Sequence, residues 1–471
     1  MPEDKHNSPV TARMFADVPA FVRGLAFADL PPDVVAQARR GLLDLIGVAA
    51  AGSRSRAAQI VNNYAATQLR SSETEARMLF GGRRASPAGA AFAGATTIDS
   101  FDAHDGHVLI KGHAGVVVLP TLLAMVDSGA ACDNREFITA LVLGYEVATR
   151  AGIALHASAA EPHCSGTWNA IACAAIGARL LGLGNGQIRH ALGIAEYFGP
   201  RGQLSRVCDS PSMVKDGSGW GAHAGVTAAL LARAGFTGAP ALTVERDDAT
   251  PYWNDLGSRW RIREQYFKAY PVCRWAQPAI EAALALQSAA DFSADNIEEI
   301  AIETFAEAAA LGAGCAIPNA TDEAQYSLPH PVAAALVFGQ VGAEEIELPK
   351  LADPRIRRLL AAMKVIEDAE FSRSFPAERW ARVRITLKDG RILASEPAIA
   401  RGNPENPLTD NELRGKYRSL AEPVLGVGRA ARIERLVDAL HVDPAALRPL
   451  IDDLMQAPSR ATQDPMRGLF G

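Results

Sequence analysis

The segment from Asp99 to Pro120 (DSFDAHDGHVLIKGHAGVVVLP) constrains the fold more than any other part of the chain. Three aspartates, three histidines and one lysine fall within its first 15 residues, and an apolar run with helical character follows directly. Burying charged groups is costly unless they are paired. Their concentration ahead of a helix therefore predicts a polar site at the mouth of that helix. A second polar segment, MVKDGSGWGAHAG at 213–225, is built in the same way.

The composition favours a helical, globular protein. A chain of 471 residues exceeds one ordinary core and predicts two or three domains. Aromatic residues make up only 6% of the chain while alanine is abundant, which favours tightly packed helices over β-sandwiches. The formal net charge of −6 provides no basic surface, so no nucleic-acid partner is expected.

The sequence predicts a cytoplasmic protein without a membrane span. The N-terminal region is polar and lacks the apolar core of a signal peptide. Apolar runs such as 114–126 and 224–232 are shorter than a membrane-spanning helix. The six cysteines show no CxxC spacing, so neither a disulfide framework nor a zinc ribbon is expected.

Helical periodicity dominates the first 270 residues, and strand patterns begin only at residue 297. The helical patterns fall at 31–52, 88–97, 116–128, 134–156, 166–183, 187–195 and 221–234. The run IEEIAIETF from Ile297 is typical of a half-buried strand, and ARVRITLKDGRILASEP predicts a hairpin that turns at 388–390. Helical spacing returns at 410–425 and 429–456.

These patterns predict a mainly α protein with a discontinuous domain plan. We expect a large all-helical domain at 1–270, continued by 400–456, with an inserted, smaller α+β lid domain at 271–399. Residues 457–471 are expected to form a flexible tail. Active sites often lie between a rigid body and such an insert, because closure excludes water.

Two common catalytic motifs are absent from the sequence. It contains no GxxxxGK[ST] phosphate-binding loop and no GxSxG nucleophile elbow. The glycine run LLGLGNGQ at 180–187 follows a helical pattern rather than a strand, which predicts a turn at the end of a helix. Serine hydrolysis of the nucleophile-elbow type and phosphate-loop chemistry therefore have no support.

The aspartate and histidine cluster has three interpretations. Neutral histidines held by neighbouring aspartates suit acid–base catalysis, which is the favoured interpretation. Histidine with carboxylate also suits zinc, iron or manganese, but the spacing matches no familiar ligand pattern, so no metal is expected. The third interpretation is a surface loop of capping aspartates and solvated histidines. The residues concerned are Asp102, His104, Asp105, His107 and His113.

Positively charged residues predict an anionic ligand. Lys215 precedes the glycine-rich turn DGSG, where a lysine and the following helix N-terminus can bind one carboxylate together. A Schiff-base role would require a more apolar setting, and a solvated surface lysine is the structural alternative. Lys268 and Arg274 add positive charge near the domain boundary. The simplest ligand is a di- or tricarboxylate.

Several segments together resemble the MmgE/PrpD family, which includes 2-methylcitrate dehydratases, cis-aconitate decarboxylases and iminodisuccinate epimerases. They occur in the family's order between residues 30 and 413 and include LPPDVVAQARRGLLDLIGVAAAG, DSFDAHDGHVLIKGHAG, MVKDGSGWGAHAGVTAALLARAGFTGA, FKAYPVCRWAQPAIEA, QYSLPHPVAAAL and GNPENPLTDNEL. The resemblance implies a helical domain with an inserted α+β lid, a homodimer, and catalysis without cofactor or metal. The implied chemistry removes a proton beside a carboxylate, and loss of water, loss of carbon dioxide or reprotonation follows.

The resemblance also implies roles for individual residues. The family's aspartate-rich segment and its histidine match Asp99 or Asp102 and then His113. The histidine ahead of a glycine-rich helix is similar in place to His163, and the family's lysine matches Lys215.

Two departures from the family pattern bear on the choice of base. The threonine of the family's DFDDTH-like run corresponds to Ala103, and the decarboxylases carry a histidine where this chain has Gln277. Glutamine cannot act as a general base. Either the base is His104 or His107, or the reaction differs from the named examples.

We therefore expect a cofactor-independent lyase of the hydratase/dehydratase type that acts on a small di- or tricarboxylate by α-proton abstraction. The candidate catalytic residues are Asp99, Asp102, His104, His107, His113, His163 and Lys215, and the candidate substrate-binding residues are Lys268, Arg274 and Gln277, with the two cations holding a remote carboxylate from the lid side. The alternatives are an epimerase or isomerase, a decarboxylase of a similar acid and a non-catalytic carboxylate-binding homologue. A metal-dependent hydrolase is a lesser alternative.

Overall fold

The computed structural model describes residues 14–311 and 317–458 and is mainly α-helical, as predicted. Helices account for 58% of it and strands for 9%, which confirms the fold class. The predicted tail at 457–471 lies outside the described residues except for its first two positions, and so does Cys315.

Twenty α-helices occur in the described residues. They are α1 (Val18–Gly24), α2 (Pro32–Gly52), α3 (Arg56–Gln68), α4 (Pro87–Asp99), α5 (Gly115–Asp127), α6 (Asn134–Ser158), α7 (Ser165–Leu180), α8 (Asn185–Phe198), α9 (Leu204–Asp209), α10 (Ser218–Arg233), α11 (Leu242–Glu245), α12 (Gln277–Ala289), α13 (Ala306–Ala309), α14 (Thr321–Gln325), α15 (Pro329–Phe338), α16 (Pro354–Ala361), α17 (Ala369–Ser374), α18 (Asp410–Leu425), α19 (Val427–Ala439) and α20 (Leu447–Met455). The predicted helical segments are confirmed, with ends displaced by a few residues, except that the segment predicted at 429–456 is divided into α19 and α20 by a non-helical stretch at 440–446.

Local sequence signals account for several helix starts. Proline occupies the first turn of α2 and of α4, where its missing N–H costs nothing. The side chain of Asp133 caps α6, and Thr409 and Glu412 form a reciprocal capping box at the start of α18. These signals account for where the helices begin. Helices α2, α4 and α6 are largely buried and form part of the core.

The strands form one five-stranded sheet and two short pairs. They are β1 (Ala76–Arg77), β2 (Arg84–Ala85), β3 (Gly106–His107), β4 (Gln265–Tyr266), β5 (Ile297–Thr304), β6 (Met363–Glu367), β7 (Trp380–Leu387), β8 (Ile392–Ala394) and β9 (Ala398–Ile399). The large sheet has the order β6-β5-β7-β8, and β9 also pairs with β7. The strand at Ile297 and the β7–β8 hairpin confirm the sequence prediction, whereas the β3–β4 pair before residue 297 was not expected.

One helix of the described chain, α6, is long and apolar enough to cross a membrane by length and composition alone. The sequence pattern at 134–156 predicted this helix but not its length and apolarity. The whole apolar window is buried inside the protein. The helix also buries Arg150, which pairs with Glu146 and with Asp255. These contacts are those of a core helix.

The N-terminal halves of α7 and α10 pack backbone against backbone. A Cβ added to Gly166 would lie 2.3 Å from the carbonyl oxygen of Gly217. A Cβ added to Gly221 would lie 2.5 Å from the carbonyl oxygen of Gly166, and one added to Gly225 would lie 2.3 Å from that of Ala170. Only glycine fits at such distances. The glycines of the second polar segment therefore bring the first residues of both helices together, next to the segment from Asp99.

We expect Gly225→Ala to lower the free energy of unfolding by about 1–3 kcal/mol, because its methyl group would overlap backbone atoms of α7. Urea unfolding followed by circular dichroism measures the change. Gly415, in α18, is the matched control because an added Cβ there meets nothing within 4 Å. Gly415→Ala should stabilise the protein by about 0.5–1 kcal/mol. Equal effects of the two substitutions would contradict the packing described here.

Candidate active site

The polar segment from Asp99 to His113 connects two buried helices. Asp99 is the last residue of α4, and α5 begins at Gly115, so the connection enters the core directly ahead of α5. Its aspartates and histidines are at most 7% exposed. A surface loop with solvated histidines is therefore wrong.

Four candidate residues of this segment form one cluster. The rings of His104 and His113 lie 4.2 Å apart between centroids. His104 has Nε2 3.8 Å from Oδ1 of Asp99 and Nδ1 3.8 Å from Oδ1 of Asp102. Nε2 of His113 lies 4.0 Å from the same Asp102 oxygen. We call these four residues the acid–base cluster.

The hydrogen bonds of His113 fix the position of its proton. Its Nδ1 lies 2.5 Å from the carbonyl oxygen of Asp105, which can only accept, so Nδ1 is the donor. Its backbone N–H donates to Oγ of Ser165. Burial, and then the charge of Lys268, lower the pKa of His113. Neutral His113 therefore carries its lone pair on Nε2, as a general base requires.

Asp99 has the opposite tendency, toward its protonated form. Burial, and then the negative charge of Asp216, raise the pKa of Asp99 to about 8. One oxygen of Asp99 accepts a hydrogen bond from the backbone N–H of Ser218 at the start of α10. Asp216 in turn accepts from Oγ of Ser165 at 2.6 Å and lies 3.8 Å from Nε2 of His113. A neutral base and a protonated acid thus lie in one site.

Asp102 is held ionised by Lys268. Nζ of Lys268 lies 2.5 Å from Oδ1 of Asp102 and also donates to its carbonyl oxygen at 3.2 Å. Burial is the largest single effect and favours the protonated carboxyl, but the charge of Lys268, the other nearby cations and the Lys268 hydrogen bond together outweigh it and lower the pKa of Asp102. Lys268, predicted to hold a carboxylate from the lid side, is instead paired within the cluster.

Lys215 is buried rather than solvated. It is 2% exposed and has a left-handed backbone, with φ of +48°, just before α10. Its Nζ donates to Oε1 of Gln325 at 2.8 Å and lies 3.6 Å from Oδ1 of Asp322. The Tyr326 ring lies 4.9 Å from Nζ. Helix α14 and the adjoining Tyr326 therefore cover Lys215.

Arg274 and Gln277 hold a turn together. Arg274 donates to Oε1 of Gln277 at 2.9 Å, to the carbonyl oxygen of Arg401 at 2.7 Å and to Oδ1 of Asn403 at 2.5 Å. Both hydrogens of the Gln277 amide go to carbonyl oxygens of the turn at 270–272. These bonds fix the 270–277 turn against residues 401–403, so the expected substrate contacts of both side chains would require that network to open.

His107 and His163 have partners of their own. Nε2 of His107 lies 3.0 Å from a carboxylate oxygen of Glu264, and burial lowers the pKa of His107. His163 is partly exposed, and its Nδ1 lies 3.0 Å from the carbonyl oxygen of Glu161. No hydrogen bond or ion pair within the described ranges joins either histidine to the acid–base cluster.

Sequence reasoning missed residues that support the site from distant parts of the chain. Nζ of Lys416, in α18, donates to the carbonyl oxygen of Ala103 at 2.6 Å and pairs with Asp44 of α2 at 2.6 Å. The amide oxygen of Gln325 accepts from both Lys215 and the backbone of Asp102. Asp216 adjoins Lys215 within the second polar segment, and this position could have identified it. Nothing in the sequence pointed to Lys416.

The cluster contains donors that suit a divalent metal. Asp102, His104 and His113 each offer one ligand atom, and these atoms lie within 4.8 Å of one another. Neither ring nitrogen of His104 has a hydrogen-bond partner. The ammonium group of Lys268, 2.5 Å from Asp102, opposes a second cation there. The donor types fit zinc, iron or manganese, but the local charge does not.

Comparisons with known proteins match most of the chain. A model of the MmgE/PrpD N-terminal domain matches residues 16–250, and a model of the MmgE/PrpD C-terminal domain matches residues 270–442. The cis-aconitate decarboxylase-like protein oryM of Aspergillus oryzae is 26% identical over 465 residues, covering 90% of this chain and 94% of that protein. A cis-aconitate decarboxylase of Aspergillus terreus is 24% identical over 93% of this chain and 95% of its own length. The 2-methylcitrate dehydratase of Cupriavidus necator is 28% identical over 47% of this chain and 50% of its own length.

We expect Lys268→Met to lower the free energy of unfolding by about 3–5 kcal/mol, because it leaves the Asp102 carboxylate buried without a counter-ion. Adding Asp102→Asn should recover most of that loss, since the uncompensated charge is then removed. Urea unfolding of both single variants and the double variant at neutral pH gives the coupling. Additive effects would show that the pair does not govern stability.

Proposed function

Because the chain belongs to the MmgE/PrpD family, we propose that it is a lyase of the hydratase/dehydratase type that acts on a small di- or tricarboxylate by α-proton abstraction, without a cofactor. The observation that carries the proposal is one buried site in which a neutral His113 and a protonated Asp99 lie near two lysines. The names of the relatives, cis-aconitate decarboxylase and 2-methylcitrate dehydratase, support a tricarboxylate as substrate.

In the first step, Nε2 of His113 takes the proton beside a substrate carboxylate. Negative charge then develops on that carboxylate, and the ammonium group of Lys215 stabilises it. Asp322 lies 3.6 Å from Nζ of Lys215 and gives way to the incoming carboxylate. The ionised Asp102, paired with Lys268, stabilises the imidazolium that forms on His113, 4.0 Å away.

In the second step, Asp99 gives its proton to the leaving hydroxyl group. The carbon–oxygen bond breaks and water leaves. The electron pair left when the proton is removed forms the new carbon–carbon double bond. Asp99 is then a carboxylate and His113 an imidazolium. His104 lies between them, at 3.8 Å from Asp99 and with its ring beside His113, and carries the returning proton.

Substrate access requires the site to open, since its side chains are almost wholly buried. We propose that residues 271–399 form a lid on a helical body made of 1–270 and 400–456. In support, Gln325 and Asp322 of this insert lie directly on Lys215. The homodimer and the cytoplasmic location remain predictions, as do the substrate-contacting roles of His107, His163, Arg274 and Gln277.

Decarboxylation of a similar acid is the second candidate function. It is favoured by the cis-aconitate decarboxylases, which align with about nine-tenths of this chain. The same lysine would stabilise the carbanion left when carbon dioxide departs. Gln277 weighs against it, because the family's decarboxylases carry a histidine at that place and this glutamine is fully buried and bonded.

Incubation with 2-methylcitrate and with cis-aconitate in deuterated buffer, followed by NMR and carbon dioxide detection, tests the proposal. We expect dehydration of a 2-hydroxy tricarboxylate, unchanged by chelator, and a loss in Lys215→Ala of about 10²–10³-fold in turnover with normal folding. Lys364→Ala is the control, because Lys364 is exposed and pairs only with Glu299.

Each other result selects an alternative. Carbon dioxide without dehydration indicates a decarboxylase, and deuterium incorporation without net product indicates an epimerase. Binding without exchange or turnover indicates a non-catalytic homologue. Activity abolished by chelator would restore the metal interpretation, and normal turnover of Lys215→Ala would overturn the mechanism.

We expect a bell-shaped dependence of kcat/KM on pH. The base must be neutral, so activity is lost as pH falls through the lowered pKa of His113, below 6.5. The acid must be protonated, so activity is lost as pH rises through the pKa of Asp99, about 8. Asp99→Asn should lower the rate and abolish the alkaline limb. An unchanged alkaline limb in that variant would remove Asp99 from the mechanism.

A further inference from the structure

Arg379 lies where the sheet-containing insert meets the polar segment. It directly precedes β7 and is 8% exposed. Its guanidinium donates to the carbonyl oxygen of Val108 at 3.2 Å. Val108 belongs to the connection between His107 and His113. The only protein hydrogen bond described for this side chain thus goes to the segment that carries the acid–base cluster.

The charge of Arg379 has no counter-ion. Across residues 14–311 and 317–458, no carboxylate lies within ion-pair distance of its guanidinium, and its Nε is buried without a hydrogen-bond partner. The rings of Tyr266 and Phe375 lie 6.0 and 5.8 Å from its central carbon. A buried guanidinium that uses one of its five donors is costly unless an anion joins it.

Other buried arginines are more fully engaged. Arg150 pairs with Glu146 and Asp255, and Arg274 is bonded to a glutamine, an asparagine and backbone carbonyls. Buried Arg261 also has an Nε without a hydrogen-bond partner, but its guanidinium pairs with Glu264. Arg379 is the exception among those compared.

A second cation, Lys111, interacts electrostatically with Arg379. Lys111 is half-buried, has a left-handed backbone with φ of +47°, and forms no ion pair within the part of the chain that the structure describes. Burial, and then the charge of Arg379, lower the pKa of Lys111, and the charge of Glu307 opposes them only in part. Two cations that repel each other at a partly dry site are stabilised by an anion between them.

Tyr266 links Arg379 to the neighbourhood of Lys268. Charges on both Arg379 and Lys268 act on Tyr266 and on Cys273, so the two cations border the same small region. The hydroxyl oxygen of Tyr266 would lie 2.5 Å from a Cβ at Gly106, within the polar segment. Tyr266 therefore connects Arg379 to the polar segment and to Lys268, the partner of Asp102.

We propose that Arg379 and Lys111 form a carboxylate-binding subsite, which holds the substrate carboxylate remote from Lys215. The inference rests on the proposed function and narrows it to acids with a carboxylate beyond the one beside the reacting carbon. The planar guanidinium binds a carboxylate through two parallel hydrogen bonds, and Lys111 supplies a second charge. Arg379 thereby takes the role that the sequence assigned to Arg274.

Binding of unreactive acids tests the subsite without requiring turnover. The probes are tricarballylate, with three carboxylates, and glutarate and methylsuccinate, which each lack one of them. Isothermal titration is carried out on wild type, Arg379→Met, Arg379→Lys and the control Arg382→Met. Arg382 lies in β7, close to Arg379 in sequence, and pairs with Glu303, which retains Arg384 after the substitution.

We expect wild type and Arg382→Met to bind tricarballylate more tightly than at least one dicarboxylate. In Arg379→Met, tricarballylate should bind about 10- to 100-fold more weakly, and its advantage over that dicarboxylate should vanish. Arg379→Lys, which keeps the charge but loses the fork, should fall in between. A loss of the same factor for all three acids, or no loss, would overturn the subsite and leave the proposed function standing. Failure of all three acids to bind wild type would overturn the proposed function, and the subsite with it.

Discussion

Asp102 and its neighbour Asp99 are both buried, and burial favours the protonated form of each carboxyl group. Asp102 nevertheless stays ionised because the ammonium group of Lys268 lies 2.5 Å from its carboxylate, whereas the pKa of Asp99 is raised. This pair sets the charge state of the site. The proposed mechanism uses both charge states: the negative Asp102 stabilises the imidazolium of His113, and the protonated Asp99 serves as the acid. Burial acts on both carboxyl groups in the same direction, and the ion pair with Lys268 leaves Asp102 ionised while Asp99 is protonated.

The cluster is held by elements that are far apart in sequence. Lys416 reaches from α18 to the carbonyl between Asp102 and His104, and Gln325 joins Asp102 to Lys215 from α14. The contacts of the site are therefore complete only when α14 and α18 are in place. Under the lid proposed above, the element that holds Lys215 would also be the one that moves when substrate enters.

Sequence patterns predicted what depends on local order. Helix α2 begins at its proline and ends at Gly52, the strand at Ile297 and its hairpin follow from alternation, and the concentration of charge at Asp99 marks the site. Contacts between residues far apart in sequence left no recognisable sequence pattern. Lys416 lies 313 residues from Ala103, and Arg274, favoured because it is positively charged, turned out to be saturated by a turn, whereas Arg379 carried no motif. Charge can be counted in a sequence, but whether a partner neutralises it depends on the fold.

The glycine contact between α7 and α10 has an electrostatic consequence. It brings two helix N-termini to the same place, where the amide of Gly166 donates to the Asp216 carbonyl and that of Ser218 to the Asp99 carboxyl. Each helix contributes the equivalent of about half a positive charge at its N-terminus. Because these dipoles belong to a rigid pair of helices, they need no reorganisation when negative charge appears. Part of the field that favours an anion here is therefore built into the backbone, and no single side-chain substitution can remove it.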